Sequence, residues 1–281
     1  MKLENQTTAK NTKTSSTMSN TRNLTERYSS FLISRGLELA SEISIVKNGH
    51  VDNSSNDSLL AMAKLLFQKG AEELSSSNYQ DALNNFQKAL DINPDYIEVY
   101  IVRAELIYLP FEYYQESIAD YTQVLRLDPN RVESLINRGW AYSKLGHHLQ
   151  ALSDYDRALT IDPHHELAYI NRGMLYVASK DYCSAISDCN TIIRINPENA
   201  DAYNNKGICL LNLKLYKDAS FNLKRAIQLN HINIYTYLNL GYCQICLGNQ
   251  SEAVKNISSA MELDDELAKT YWASITSQYD S

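Results

Sequence analysis

The chain has no apolar run long enough to cross a bilayer, which takes about 20 residues. It also lacks a basic excess: the formal charge is −7 and the pI lies near 5.4. Sequence-independent nucleic-acid binding depends on a basic surface, so that class is set aside. The start, MKLENQTTAKNTK, has no apolar core of the secretory type. The Asn-x-Ser/Thr triplets at Asn5, Asn23, Asn53 and Asn256 therefore carry little weight as glycosylation sites.

Chemistry-bearing motifs are missing as well. There is no phosphate-binding glycine loop, no nucleophile elbow and no pair of carboxylates in a pocket-like context. His147-His148 and His164-His165 lack ligand spacing such as i, i+4. The five cysteines, an odd number, include Cys243-x-x-Cys246 with no second pair at metal-ligand distance. Cys189 and Cys209 occupy repeat positions where small apolar residues line a helix interface, and they read as packing groups. The reading is of a non-enzyme with no metal and no cofactor, and of a reduced, cytoplasmic chain.

What the sequence does hold is repetition. Glu133 to Pro163 contains two helical patterns divided by a polar break at Gly146-His147-His148. The first carries Leu135, Arg138, Gly139 and Tyr142; the second carries Ala151, Tyr155, Ala158 and Ile161 and stops at Asp162-Pro163. Proline ends a helix because it donates no amide hydrogen and crowds the preceding turn. A shift of 34 residues returns the unit as Tyr169, Arg172, Gly173, Tyr176, Ala185, Ile192 and Pro197. Small residues recur at Gly70, Ala104, Gly139, Gly173, Gly207 and Gly241, and again at Ala82, Ser117, Ala151, Ala185, Ala219 and Ala253. Closing prolines stand at Pro94, Pro129, Pro163 and Pro197, with His231 and Asp265 in their place later. Repeat two carries one extra residue, expected near Leu109-Pro110-Phe111.

A 34-residue helix-turn-helix with this pattern resembles the tetratricopeptide repeat (TPR) family over about Ala63 to Leu267. The resemblance implies an all-α, right-handed superhelical solenoid of antiparallel helix pairs with a C-terminal capping helix. It says less about function, because one fold hosts many roles.

In chain order, residues 1–23 are rich in Ser, Thr and Asn with almost nothing apolar, which predicts a disordered tail. Residues 24–57 hold an amphipathic helix, with Leu24, Tyr28, Phe31, Leu32, Leu39, Ile43 and Val46 on one stripe, and a polar linker. That helix caps the array, enters its groove or meets another molecule; the residues alone leave these open. Six repeats follow over 58–265, with Asn78 as an expected helix N-cap, and a capping helix fills 266–281.

The resemblance also implies a concave surface lined by the first helices, with one position on them facing bound peptide. Here that position reads Asn137, Asn171, Asn205 and Asn239, at intervals of 34. An asparagine amide can pair with both the N–H and the C=O of a peptide unit, so a row of them holds a backbone whatever its side chains. The alternative is that these asparagines serve helix packing. Beside them Trp140, Met174, Ile208 and Tyr242 suit side-chain pockets, with core packing the rival role for Met174 and Ile208. A carboxylate clamp, known in another branch of the family, is excluded for the central repeats. Its cation positions read Glu133, Leu167 and Asp201, and Asn137, Asn171 and Asn205. Glu133 and Asp201 instead favour a neutral or basic segment. Arg103, Arg138 and Arg172 share the period of Asp120, Asp154 and Asp188, which predicts scaffold bridges worth about 0–1 kcal/mol each if exposed.

The expected function is a protein-interaction scaffold or chaperone-like adaptor that binds a peptide or protein segment in the groove. An exported bacterial effector, led by a flexible Ser/Thr/Asn-rich start, is the second reading. Partner identity and oligomeric state are not legible.

Overall fold

The structure is a computed structural model, described over residues 55–279. The expected tail at 1–23 and the amphipathic helix at 24–46 lie outside these residues. Among the described residues there are thirteen helices and no strand. They are α1 (Ser55–Ser75), α2 (Tyr79–Ile92), α3 (Ile97–Val102, continuing as a π-helical segment over Arg103–Tyr108) and α4 (Tyr114–Leu127). Then come α5 (Val132–Lys144), α6 (His148–Ile161), α7 (Glu166–Ala178), α8 (Tyr182–Ile195) and α9 (Ala200–Asn212). The last four are α10 (Tyr216–Gln228), α11 (Ile234–Cys246), α12 (Gln250–Leu263) and α13 (Asp265–Tyr279). Two compact units divide the chain between Pro129 and Asn130.

In the first unit α1 packs on α2, and α3 on α4. Phe67, Phe86, Val99 and Ile107 form the core, with the Phe67 and Phe86 rings 5.8 Å apart. A glycine at position 70 allows this approach, because a Cβ there would stand 2.5 Å from the Phe86 ring. Asn78 sits at the N-cap of α2, yet its side chain does not cap. Its Nδ2 donates instead to Glu73 Oε2 at 2.8 Å, a charge-assisted bond back to the preceding helix.

The extra residue of repeat two lies inside the first helix rather than in the turn near Leu109-Pro110-Phe111. Over Arg103–Tyr108 the backbone winds as a π-helix, and Leu109 N–H donates to the Ala104 carbonyl at 2.9 Å. An i→i+5 turn absorbs one residue without breaking the helix. The register is therefore restored by Tyr108, which stands 34 residues before Tyr142.

In the second unit each first helix packs on its partner, α5 on α6, α7 on α8, α9 on α10 and α11 on α12. Each second helix then meets the next first helix, so the core runs as a line of local clusters. The turns within pairs close with a backbone bond reaching back five residues, such as His147 N–H to Tyr142 O at 2.9 Å. One residue before that donor the backbone turns left-handed, at Gly146 (φ +78) and Gly248 (φ +77), where glycine carries no steric cost. Asp181, Asn199 and Asn233 cap α8, α9 and α11 by accepting from the amides three residues on. The final helix α13 packs on α11 and α12, placing Ala268, Tyr271 and Trp272 against the last core cluster. This is the expected capping helix.

Candidate functional site

The first helices are held by a ladder of ion pairs. Arg138 donates to Asp154 through Nε at 2.8 Å and Nη2 at 2.7 Å, and Arg172 to Asp188 at 3.0 and 2.6 Å. In the first unit Arg103 does the same with Asp120, at 2.7 Å through Nε. Tyrosine rings flank the guanidinium groups: Tyr169 and Tyr176 lie 5.4 and 5.9 Å from that of Arg172. Arg172 also reaches Asp156 of α6 at 2.6 Å, so one side chain ties three helices. The bridges within a repeat are largely buried: the Asp188 side chain keeps 5% of its surface and that of Arg172 19%, whereas Asp156 keeps 57%. Burial pushes the Asp120 and Asp188 carboxyls above their ordinary range, against the pull of the paired arginines. The expected worth of an exposed pair therefore does not apply. Repeat five has Lys206 and Asn222 at these positions, and Asn222 bonds back to the Asp218 carbonyl of its own helix at 2.8 Å.

On this frame the asparagine row falls into two parts. Asn137 and Asn205 are half-buried on α5 and α9, while Asn171 on α7 retains 9% exposure. Asn171 lines a surface depression with Trp140, Lys144 and Met174. The Lys144 ammonium stands 5.0 Å from the Trp140 ring centre. Met174 is half exposed and Ile208 half-buried. Asn239 differs: it is 1% exposed, its Nδ2 has no hydrogen bond of ordinary geometry, and Tyr271 of α13 lies against it. Tyr242 is likewise covered, with Trp272 and Tyr216 each at 6.4 Å edge-on. Asn239 and Tyr242 thus pack beneath the capping helix, whereas Asn137 and Asn205 keep part of their surface and Asn171 keeps 9%.

The two acidic positions sit in first turns of helices, Glu133 on α5 and Asp201 on α9, where carboxylates complement the helix dipole. Asp201 Oδ1 is 2.7 Å from the His231 ring, so it is already partnered. Cys243 is buried and Cys246 exposed, which separates the two thiols of that motif into different surroundings. Among the described residues no group of three or more His, Cys, Asp or Glu side chains is placed to hold a metal ion. No described helix is long and apolar enough to cross a membrane.

Between α7, α8 and α9 lies an apolar cavity of about 170 Å³, bordered by Met174, Cys189, Ile208, Cys209 and Asn205. Contrary to the expectation above, Cys189 does not stand at a position of small residues: its column reads Phe86, Tyr121, Tyr155, Cys189, Leu223 and Ile257, where one small residue interrupts large ones.

Comparison with known proteins agrees with this architecture. Sequence profiles described as tetratricopeptide repeat match residues 97–131, 132–165, 167–199 and 189–219. Among solved structures, MamA is similar at 25% identity with TM-score 0.53, covering 58% of this chain and 95% of that one. PilF of Pseudomonas aeruginosa is similar at 17% identity with TM-score 0.60, covering 79% and 100%. YrrB, described as a TPR protein with an unusual peptide-binding site, is similar at 19% identity with TM-score 0.55, covering 66% and 96%.

Proposed function

Since this chain is a tetratricopeptide repeat protein, we propose that its protein-interaction scaffold works without catalysis, holding an extended segment of a partner along the first helices of repeats three to five. The observation that carries the reading is the recurrence of Asn137, Asn171 and Asn205 at one helix position in three consecutive repeats. Asparagine is a mediocre interior helix residue, so its repeated use needs a reason beyond propensity. Its amide can give one hydrogen bond to a peptide carbonyl and take one from a peptide N–H, which reads backbone rather than side chains. Trp140, Met174 and Ile208 stand one turn further along the same helices and supply apolar contact between the amides. The segment is neutral or basic: Glu133 is exposed, and no lysine or arginine occupies the row.

The test begins with capture of partners by the full chain, followed by titration of the partner segment into the Asn171→Ala/Asn205→Ala variant. With at least one hydrogen bond to the ligand backbone lost per asparagine, at about 0.5–1.5 kcal/mol each, affinity is expected to fall at least roughly 5- to 150-fold. Circular dichroism should meanwhile report an unchanged helical array. Undiminished affinity in a folded variant would assign the row to packing.

A further inference from the structure

Of the five repeats with glycine in the first helix, four fill the space above it from the second helix with a large side chain. A Cβ at Gly70, Gly139 or Gly207 would come 2.5, 2.8 or 2.7 Å from Phe86, Tyr155 or Leu223. Gly241 is closed by Ile257 at 3.0 Å in the same way. At Gly173 the nearest atom is Asp188 Cβ at 3.8 Å, because Cys189 stands where the larger residue would be. The small thiol leaves the cavity of about 170 Å³, partly open beside the half-exposed Met174. A dry apolar cavity of about 150 Å³ holds a benzene molecule, so one side chain of that bulk fits.

The cavity's walls fix the chemistry of the guest. Met174, Ile192 and Ile208 are apolar, and burial keeps the Cys189 and Cys209 thiols neutral by pushing them up to about 12 and about 11. A charged group entering here would lose its hydration without a counter-ion, whereas an apolar one gains by burial. Asn205, at the border, belongs to the same cavity as Ile208 and Cys209. A peptide unit held by that amide therefore carries its side chain at the cavity.

Building on the groove reading above, we propose that this cavity is a subsite for a single uncharged, apolar side chain, of leucine to phenylalanine size, on the bound segment. The cavity between repeats four and five thus adds a preference for one apolar side chain to a surface whose asparagines read only backbone.

Two probes test this on the full chain. Benzene is titrated while the methyl signals of Ile192 and Ile208 are followed by NMR; saturable shifts are expected, and are lost in C189L. That variant copies the Gly207–Leu223 packing of repeat five, and C189I copies Ile257 of repeat six as a second folded control. Uncharged ten-residue peptides differing only in a central Gly, Leu, Phe or Lys are then compared. Leu or Phe is expected to bind at least about ten-fold tighter than Gly or Lys. The margin should vanish in C189L and persist, at lower overall affinity, in Asn137→Ala/Asn171→Ala. Absence of benzene shifts, or a Leu/Phe margin that survives in C189L and C189I, overturns the subsite and leaves the groove reading standing. Benzene shifts without binding of any peptide overturn the groove reading, and with it the assignment of the guest as a partner side chain.

Discussion

Cys189, Cys209 and Cys243 show how one residue type takes its chemistry from its surroundings. All three are buried, and that burial pushes their thiols up to about 12, about 11 and about 12. Cys183 and Cys246 are exposed. Since the thiolate is the nucleophile, a thiol reagent at pH 8 is expected to modify Cys183 and Cys246 quickly in the folded chain. The other three should react only once the chain unfolds; equal rates at all five would refute the assignment. The sign of the pH effect follows from the raised values. The folded state holds these thiols protonated, so their contribution is whole below the ordinary thiol range near 8.5. It is lost as pH climbs from there towards the folded values, and denaturant midpoints should fall across that alkaline window.

Between elements, the arginine–aspartate pairs decide how first and second helices meet. Arg172 ties α7 to α8 through Asp188 and to α6 through Asp156. Removing one member leaves a buried charge uncompensated, so Arg172→Ala is expected to cost about 3 kcal/mol in urea melts. Replacing the pair together, as R172M/D188L, removes both desolvation costs and should cost far less. If the double variant is as unstable as the single one, the bridge contributes through contacts other than charge. The same logic of neighbours governs α13. It lays Tyr271 and Trp272 over α11 and so hides Asn239 and Tyr242.

For the molecule as a whole, repeat architecture makes stability a sum of local terms and neighbour interfaces. Residues 130–281 form a compact unit with a core cluster of their own, including Leu211, Leu223, Leu238 and Tyr242. Expressed alone, that stretch is expected to give a helical far-UV spectrum and a cooperative melt. A fragment without helicity would mean that the second unit depends on the first for folding.

The sequence by itself determined the period, the helix pairs, the small residues that let helices approach, and the partnership of arginine with aspartate. Each of these recurs from repeat to repeat, the arginine–aspartate pair in repeats two to four, and rests on local propensity and spacing, so 34-residue steps expose it. Tertiary structure alone decided what depends on the neighbour across the interface. It placed the extra residue of repeat two in a π turn, because the helix there keeps Tyr108 in register rather than lengthening the loop. It buried the ion pairs, since tyrosine rings and a preceding helix close over them. It withdrew Asn239 and Tyr242 from the row, although both obey the period of their counterparts, because the helix that covers them has no repeat to announce it. And it turned one cysteine into a cavity, because the volume beside Gly173 is the difference between what Cys189 fills and what the fold leaves room for.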